Sequence, residues 1–172
     1  MLKIIGIILI IFSSSFFGYQ KASSYKKRVL ELNEFKKGVE MFETEIRFVR
    51  TPLCEAFDKI GGKLVGSVSS LFADFSKKYV LLSGMGVNEI WNAVIDENTK
   101  NTYLCKDDIN LIKDFGMCLG TTDTEGQINN IMSVLDRINY QINCAKDLEQ
   151  KNSKLYQSLG IYSGVLISIL LV

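Results

Sequence analysis

No histidine occurs anywhere in the 172 residues. That absence removes the side chain that titrates nearest neutral pH, the usual base for a serine or cysteine nucleophile, and the commonest metal ligand. Proline and tryptophan occur once each. The four cysteines, Cys54, Cys105, Cys118 and Cys144, include no C-x-x-C pair, so zinc-ribbon and thioredoxin-like readings fail. They read instead as reduced thiols packed as small hydrophobes; two disulfides would need an oxidising compartment. Charge is missing from both ends. Residues 4–19, IIGIILIIFSSSFFGY, and residues 155–172, LYQSLGIYSGVLISILLV, carry none.

Apart from Lys3, every charge lies in residues 20–154, with nineteen basic and nineteen acidic groups. A neutral balance suits a soluble surface and gives no support to nucleic-acid binding, which favours a basic stripe. The two apolar ends read as transmembrane helices at 1–19, with Lys3 snorkelling, and at 155–172. A cleaved signal peptide is the rival at the N-terminus, with Ser13 and Ser15 at −3 and −1. Phe16, Phe17 and Tyr19 beyond Ser15 favour a longer span ending in an aromatic belt. Basic residues cluster just inside both stretches, from Lys21 to Lys37 and from Arg137 to Lys154. The positive-inside rule then puts residues 20–154 in the cytoplasm and both termini on the far side.

The middle has the period of helices throughout. Leu32, Phe35, Val39, Phe42, Ile46 and Val49 step by threes and fours along one face. Thr51 as N-cap and Pro52 at the first helical position open a short helix with Leu53, Phe57 and Ile60 inward, closed by Gly61-Gly62. Val65, Val68, Phe72, Phe75, Tyr79 and Leu82 mark a third helix, and Val87, Ile90, Trp91 and Val94 a fourth. Residues 96–103 read as a polar loop, followed by a fifth helix carrying Ile109, Ile112, Phe115 and Leu119. The sixth starts near Thr124 and meets no breaker before Gly160, so it is expected to run into the C-terminal stretch as one rod. No segment alternates with period two. The expected fold is all-α: a cytosolic bundle of about six helices between two membrane helices.

Candidate chemistry is sparse. GGKL at 61–64 lacks both the leading glycine and the trailing Ser or Thr of a phosphate loop. FGMCLGTTDTEGQ at 115–127 has no preceding strand and no lysine after it, and reads as a helix corner. Gly116 there would let another helix's backbone come close, and Gly120 suits a left-handed position. Thr122 with Glu125, or Thr124 with Gln127, matches a capping box. The paired Asp107-Asp108 complements a helix N-terminus. No catalytic residue, metal ligand set or cofactor site is expected.

Two further patterns concern packing and partners. Gly160, Gly164 and Ser168 recur every fourth residue in the C-terminal stretch, with a shorter counterpart in Ser14 and Gly18; small residues let helices approach closely in lipid. Residues 20–50 hold eight basic and five acidic groups, whereas 96–125 hold three basic and seven acidic. The basic end is expected against anionic membrane lipids, and the acidic end, with Asp107, Asp108 and Asp114, toward a basic partner.

The opening MLKIIG, the long basic helix ending in TPLCEAF, the block FGMCLGTTDTEGQINNI and the closing KLYQSLGIYSGVLISILLV together resemble the stage III sporulation protein AB family over essentially the whole chain. The middle is more distantly similar to the helical F domain of type II secretion and type IV pilus inner-membrane platform proteins. The resemblance implies a non-enzymatic part in the complex that forms a channel between mother cell and engulfed forespore. It implies a place in the outer forespore membrane, a helical domain that docks a cytosolic assembly ATPase, and other spore-channel membrane proteins as partners in an oligomeric complex. The family's motif glycines map onto Gly116 and Gly120, and the polar residues after them onto Asp123 and Gln127. Full secretion platforms have two such domains and three spans; this chain has one and two. The competing class is a membrane-anchored sensor or regulator whose helical domain binds a small molecule, which would place polar residues on a buried seam.

Overall fold

The computed structural model describes residues 2–49, 51–82, 84–120 and 124–171, without the side chains of residues 2–5, 170 and 171. Six α-helices account for nearly all of it: α1 (Leu2–Thr44), α2 (Leu53–Gly61), α3 (Gly66–Leu81), α4 (Val87–Asn98), α5 (Lys106–Phe115) and α6 (Thr124–Leu171). No extended strand occurs among the described residues. The chain divides into two units. One comprises Met1–Val29 with Asn143–Val172, the other Leu30–Ile142. Each of the long helices α1 and α6 contributes to both units without a break, and for α1 that continuity was not foreseen.

In the Leu30–Ile142 unit the seams close on one aromatic core. Phe35, Phe42, Phe57, Phe72, Phe75, Trp91 and Phe115 are all fully buried. Their rings meet edge to face, tilted or stacked, with Phe57 tilted against Phe75 at 4.4 Å and Phe35 edge to face with Phe115 at 5.8 Å between centroids. Such pairs add to the value of burial alone. The indole N–H of Trp91 donates to the Ile112 carbonyl at 2.7 Å, so the one polar atom of the largest core residue is satisfied.

Boundaries moved in three places, each for a local reason. The seam of α1 stops at Phe42, because residues Glu45–Val49 form a π-helical turn. Its wider i→i+5 winding breaks the three-four stepping, and Val49 is exposed. Thr51 does not cap α2. Its hydroxyl donates to Glu45 at 2.8 Å, Pro52 takes the N-cap position, and the Pro52 carbonyl accepts from Ala56. Asp96–Asn98 belong to α4 rather than to a loop, and the 3₁₀ turn Thr99–Asn101 follows directly.

The π turn is held by Glu45. Lys59 and then Thr51 donate to its carboxylate and keep it below the usual carboxylate range. A carboxylate with a depressed folded-state pKa stabilises the fold above its unfolded value, about 4.3 for glutamate, and loses that contribution as pH falls through the folded value. Glu45→Gln is therefore expected to lower the melting temperature at pH 7, and the gap to wild type should close as the pH is taken below about 4. A gap that stays constant down to pH 2 would show that the charge is not what holds the turn.

In the Met1–Val29 and Asn143–Val172 unit, α1 and α6 run antiparallel. Gly18 faces Gly160, and Ile11 faces Gly164. Among the described residues no helix is long and apolar enough to cross a membrane. Ile4, Ile5 and residues 170–172, counted in the two apolar stretches of the sequence, lie outside the side chains described.

Candidate functional site

The described parts of the FGMCLGTTDTEGQ stretch, residues 115–120 and 124–127, end α5 and open α6. After Phe115 the chain tightens into a 3₁₀ turn, Gly116–Cys118, and Gly120 has φ +80°, a conformation that favours glycine. Gly116 itself has ordinary helical angles, so its need is for space. A Cβ there would lie 2.3 Å from Trp91 Cδ1 and 2.6 Å from Asn88 Oδ1. What approaches Gly116 is therefore the side-chain face of α4, not another backbone. The Gln127 amide donates to the Cys118 carbonyl at 2.9 Å and ties the start of α6 to the turn. Thr122 and Asp123 lie outside the described residues. Cys118 is buried beneath the corner, and burial, then the nearby Asp114 carboxylate, pushes its thiol pKa up. That suits packing rather than reactivity.

The corner has measurable consequences. Gly116→Leu is expected to destabilise by about 1–3 kcal/mol through overpacking against Trp91. Gly120→Val should be harmful for another reason, its positive φ. Thermal unfolding of the two variants checks both; a variant that melts with the wild type would show that the corner does not need that glycine.

The small residues of the other unit meet in one crossing. A Cβ on Gly160 would lie 3.0 Å from Gly18 Cα and 3.0 Å from the Ser14 carbonyl oxygen, and one on Gly164 would lie 3.0 Å from Ile11 Cα. The Ser14 hydroxyl donates to the Gly160 carbonyl at 2.7 Å and sits 2.7 Å from the Ser163 hydroxyl. Ser168 is buried, and its hydroxyl donates to the Gly164 carbonyl in its own helix. Ser163 was missed in the sequence, although it lies one turn beyond Gly160 on the same face.

The three acidic residues do not form one exposed end. Asp108 is fully buried and accepts from the Cys105 backbone N–H at 2.9 Å. It caps α5, and its expected place on a partner-facing surface is corrected. Asp114 is paired with Arg137 at 2.7 Å. Asp107 is exposed and lines a groove with Asp136, Arg137 and Tyr140 of α6. Sequence reading counted Arg137 only among the basic residues and passed over Asp136 and Tyr140, which lie off the α6 face formed by the buried Ile131, Leu135, Ile138 and Ile142. Among the described residues, no group of His, Cys, Asp or Glu could hold a metal ion.

The family model for stage III sporulation protein AB matches residues 3–172. The chain belongs to the stage III sporulation protein AB family. It is 28% identical over 171 residues to stage III sporulation protein AB of Bacillus subtilis (strain 168), covering 99% of each chain. A solved structure of a stage III sporulation protein AB covers 73% of this chain and 98% of its own, with a TM-score of 0.68 and 23% identity. That likeness carries the fold. The Ser14–Gly160 crossing combines close backbone approach with directed hydrogen bonds.

Proposed function

We propose that this chain is a non-enzymatic membrane scaffold of the secretion-like channel complex between mother cell and forespore, and that its helical unit docks a cytosolic assembly ATPase. The α1–α6 hairpin would lie in the outer forespore membrane, with the helical unit in the mother-cell cytoplasm beside the other membrane proteins of an oligomeric complex. One observation carries the membrane part. The hairpin is inside-out for water: Gly18, Ser14, Gly160 and Gly164 face inward at the crossing. Phe12, Phe17, Tyr162 and Ile169 point outward, each more than 70% exposed. Packing over small residues with large apolar groups outside is what lipid favours and water opposes.

The scaffold reading draws on family membership and on a core filled with rings. Where a small-molecule sensor would keep its ligand, Phe57, Phe72, Trp91 and Phe115 are already in mutual contact. The topology is tested with a single-cysteine chain that keeps only Cys105, half-buried near the start of α5. In intact cells it should resist a membrane-impermeant thiol reagent and react after permeabilisation. Labelling without permeabilisation would contradict the cytoplasmic placement.

A further inference from the structure

Several described carboxylates of the Leu30–Ile142 unit are ion-paired, among them Glu40 with Lys36, Asp74 with Lys77, Glu97 with Lys78, Asp96 with Lys113 and Asp114 with Arg137. Asp107 and Asp136 have no ion pair or hydrogen bond among the described residues. Yet both line the same groove, about 530 Å³ in volume, between α5 and α6. Its floor includes the buried side chain of Leu111, and Tyr140, 69% exposed, stands in its wall. A volume in the range of about 300–1,000 Å³ suits one or two docked side chains rather than a whole protein face.

The chemistry selects the occupant. A hard cation needs six to eight converging oxygens, whereas here two carboxylates share the groove with the Arg137 guanidinium. Nucleic acid is repelled by the carboxylates. A lysine or arginine of a protein segment fits each feature: its stem lies over Leu111, its charge sits between Asp107 and Asp136, and the Tyr140 ring face attracts the cation. We infer that the α5–α6 groove is a docking site for a basic segment of a protein partner. The inference rests on the docking reading above and names the surface it would use.

The test uses the full chain in sporulating cells with Tyr140→p-benzoylphenylalanine as a photo-crosslinker. The expected product is a partner segment carrying Lys or Arg at the attachment point. Its yield should fall about fivefold or more in the Asp107→Asn and Asp136→Asn double variant, and fall with added salt, as for charges that steer association. If the double variant melts early, Asp136→Asn alone carries the comparison, since Asp136 lies mid-helix in α6 and has no bond to lose. Unchanged yield in a folded variant, a captured segment without basic residues, or no capture at all overturns the groove. Co-purification separates this from the parent reading. If wild type and double variant recover the ATPase equally, the groove falls and docking stands. If wild type recovers none, ATPase docking falls and the cross-link alone decides the groove.

Discussion

Trp91→Ala is expected to lower the stability of the helical unit by about 3–5 kcal/mol, the range for emptying a fully buried aromatic site. Trp91 is 0% exposed and touches the rings of Phe57, Phe72, Phe75 and Phe115 at centroid distances of 5.5 to 5.9 Å. Four helices would face the resulting cavity, and none can collapse into it without moving the others. Such a loss is a large share of the roughly 5–15 kcal/mol that holds a typical domain. Trp91→Phe separates volume from polarity. It keeps a ring but leaves the Ile112 carbonyl without its indole donor, at a cost of about 1–3 kcal/mol. Denaturant melts of the full chain, followed by far-UV circular dichroism, check both. Equal midpoints for wild type and Trp91→Ala would show that the indole is not the centre of the core.

The second large effect is expected at Gly160. Even a methyl group there would lie 3.0 Å from two backbone atoms, Gly18 Cα and the Ser14 carbonyl oxygen. Backbone cannot rotate aside as a side chain can. Gly160→Ile must therefore push α1 and α6 apart, at about 1–3 kcal/mol or more, and strip the Ser14 hydroxyl of its 2.7 Å bond. Apolarity is not reduced, so insertion should persist while assembly and spore formation fail. Gly164→Ile should act alike, and Val165→Ile, 41% exposed on another face, should be silent. A direct readout uses the closeness of Ser14 and Ser163, whose hydroxyl oxygens lie 2.7 Å apart. Ser14→Cys with Ser163→Cys should oxidise to a disulfide, and adding Gly160→Ile should abolish it. Undiminished cross-linking in the triple variant would mean that the crossing does not depend on the glycine.

Much of the fold was legible because burial follows helical period. Leu32, Phe35, Val39 and Phe42, read as one face of a helix, are all buried. The unbroken stretch from Thr124 forms one helix to Leu171. What periodicity could not reveal were features set by other elements. The π turn at Glu45 depends on Lys59 and Thr51, which are distant along the helix pattern but adjacent in space. Asp108 looks in the sequence like any exposed acid at a helix start, yet it is fully buried and accepts from the Cys105 backbone N–H. The group that crowds Gly116 is an indole from α4, not the helix backbone expected from the sequence, and no local pattern announces it. The α5–α6 groove was invisible for the same reason, since it takes two helices to make it.

The scaffold role is tested most directly by affinity purification of the intact chain from sporulating cells, in mild detergent at physiological salt. A cytosolic ATPase and other spore-channel membrane proteins should co-elute, with no ATP hydrolysis by the chain alone. Recovery of the chain by itself, or hydrolysis by the purified chain, would contradict that role.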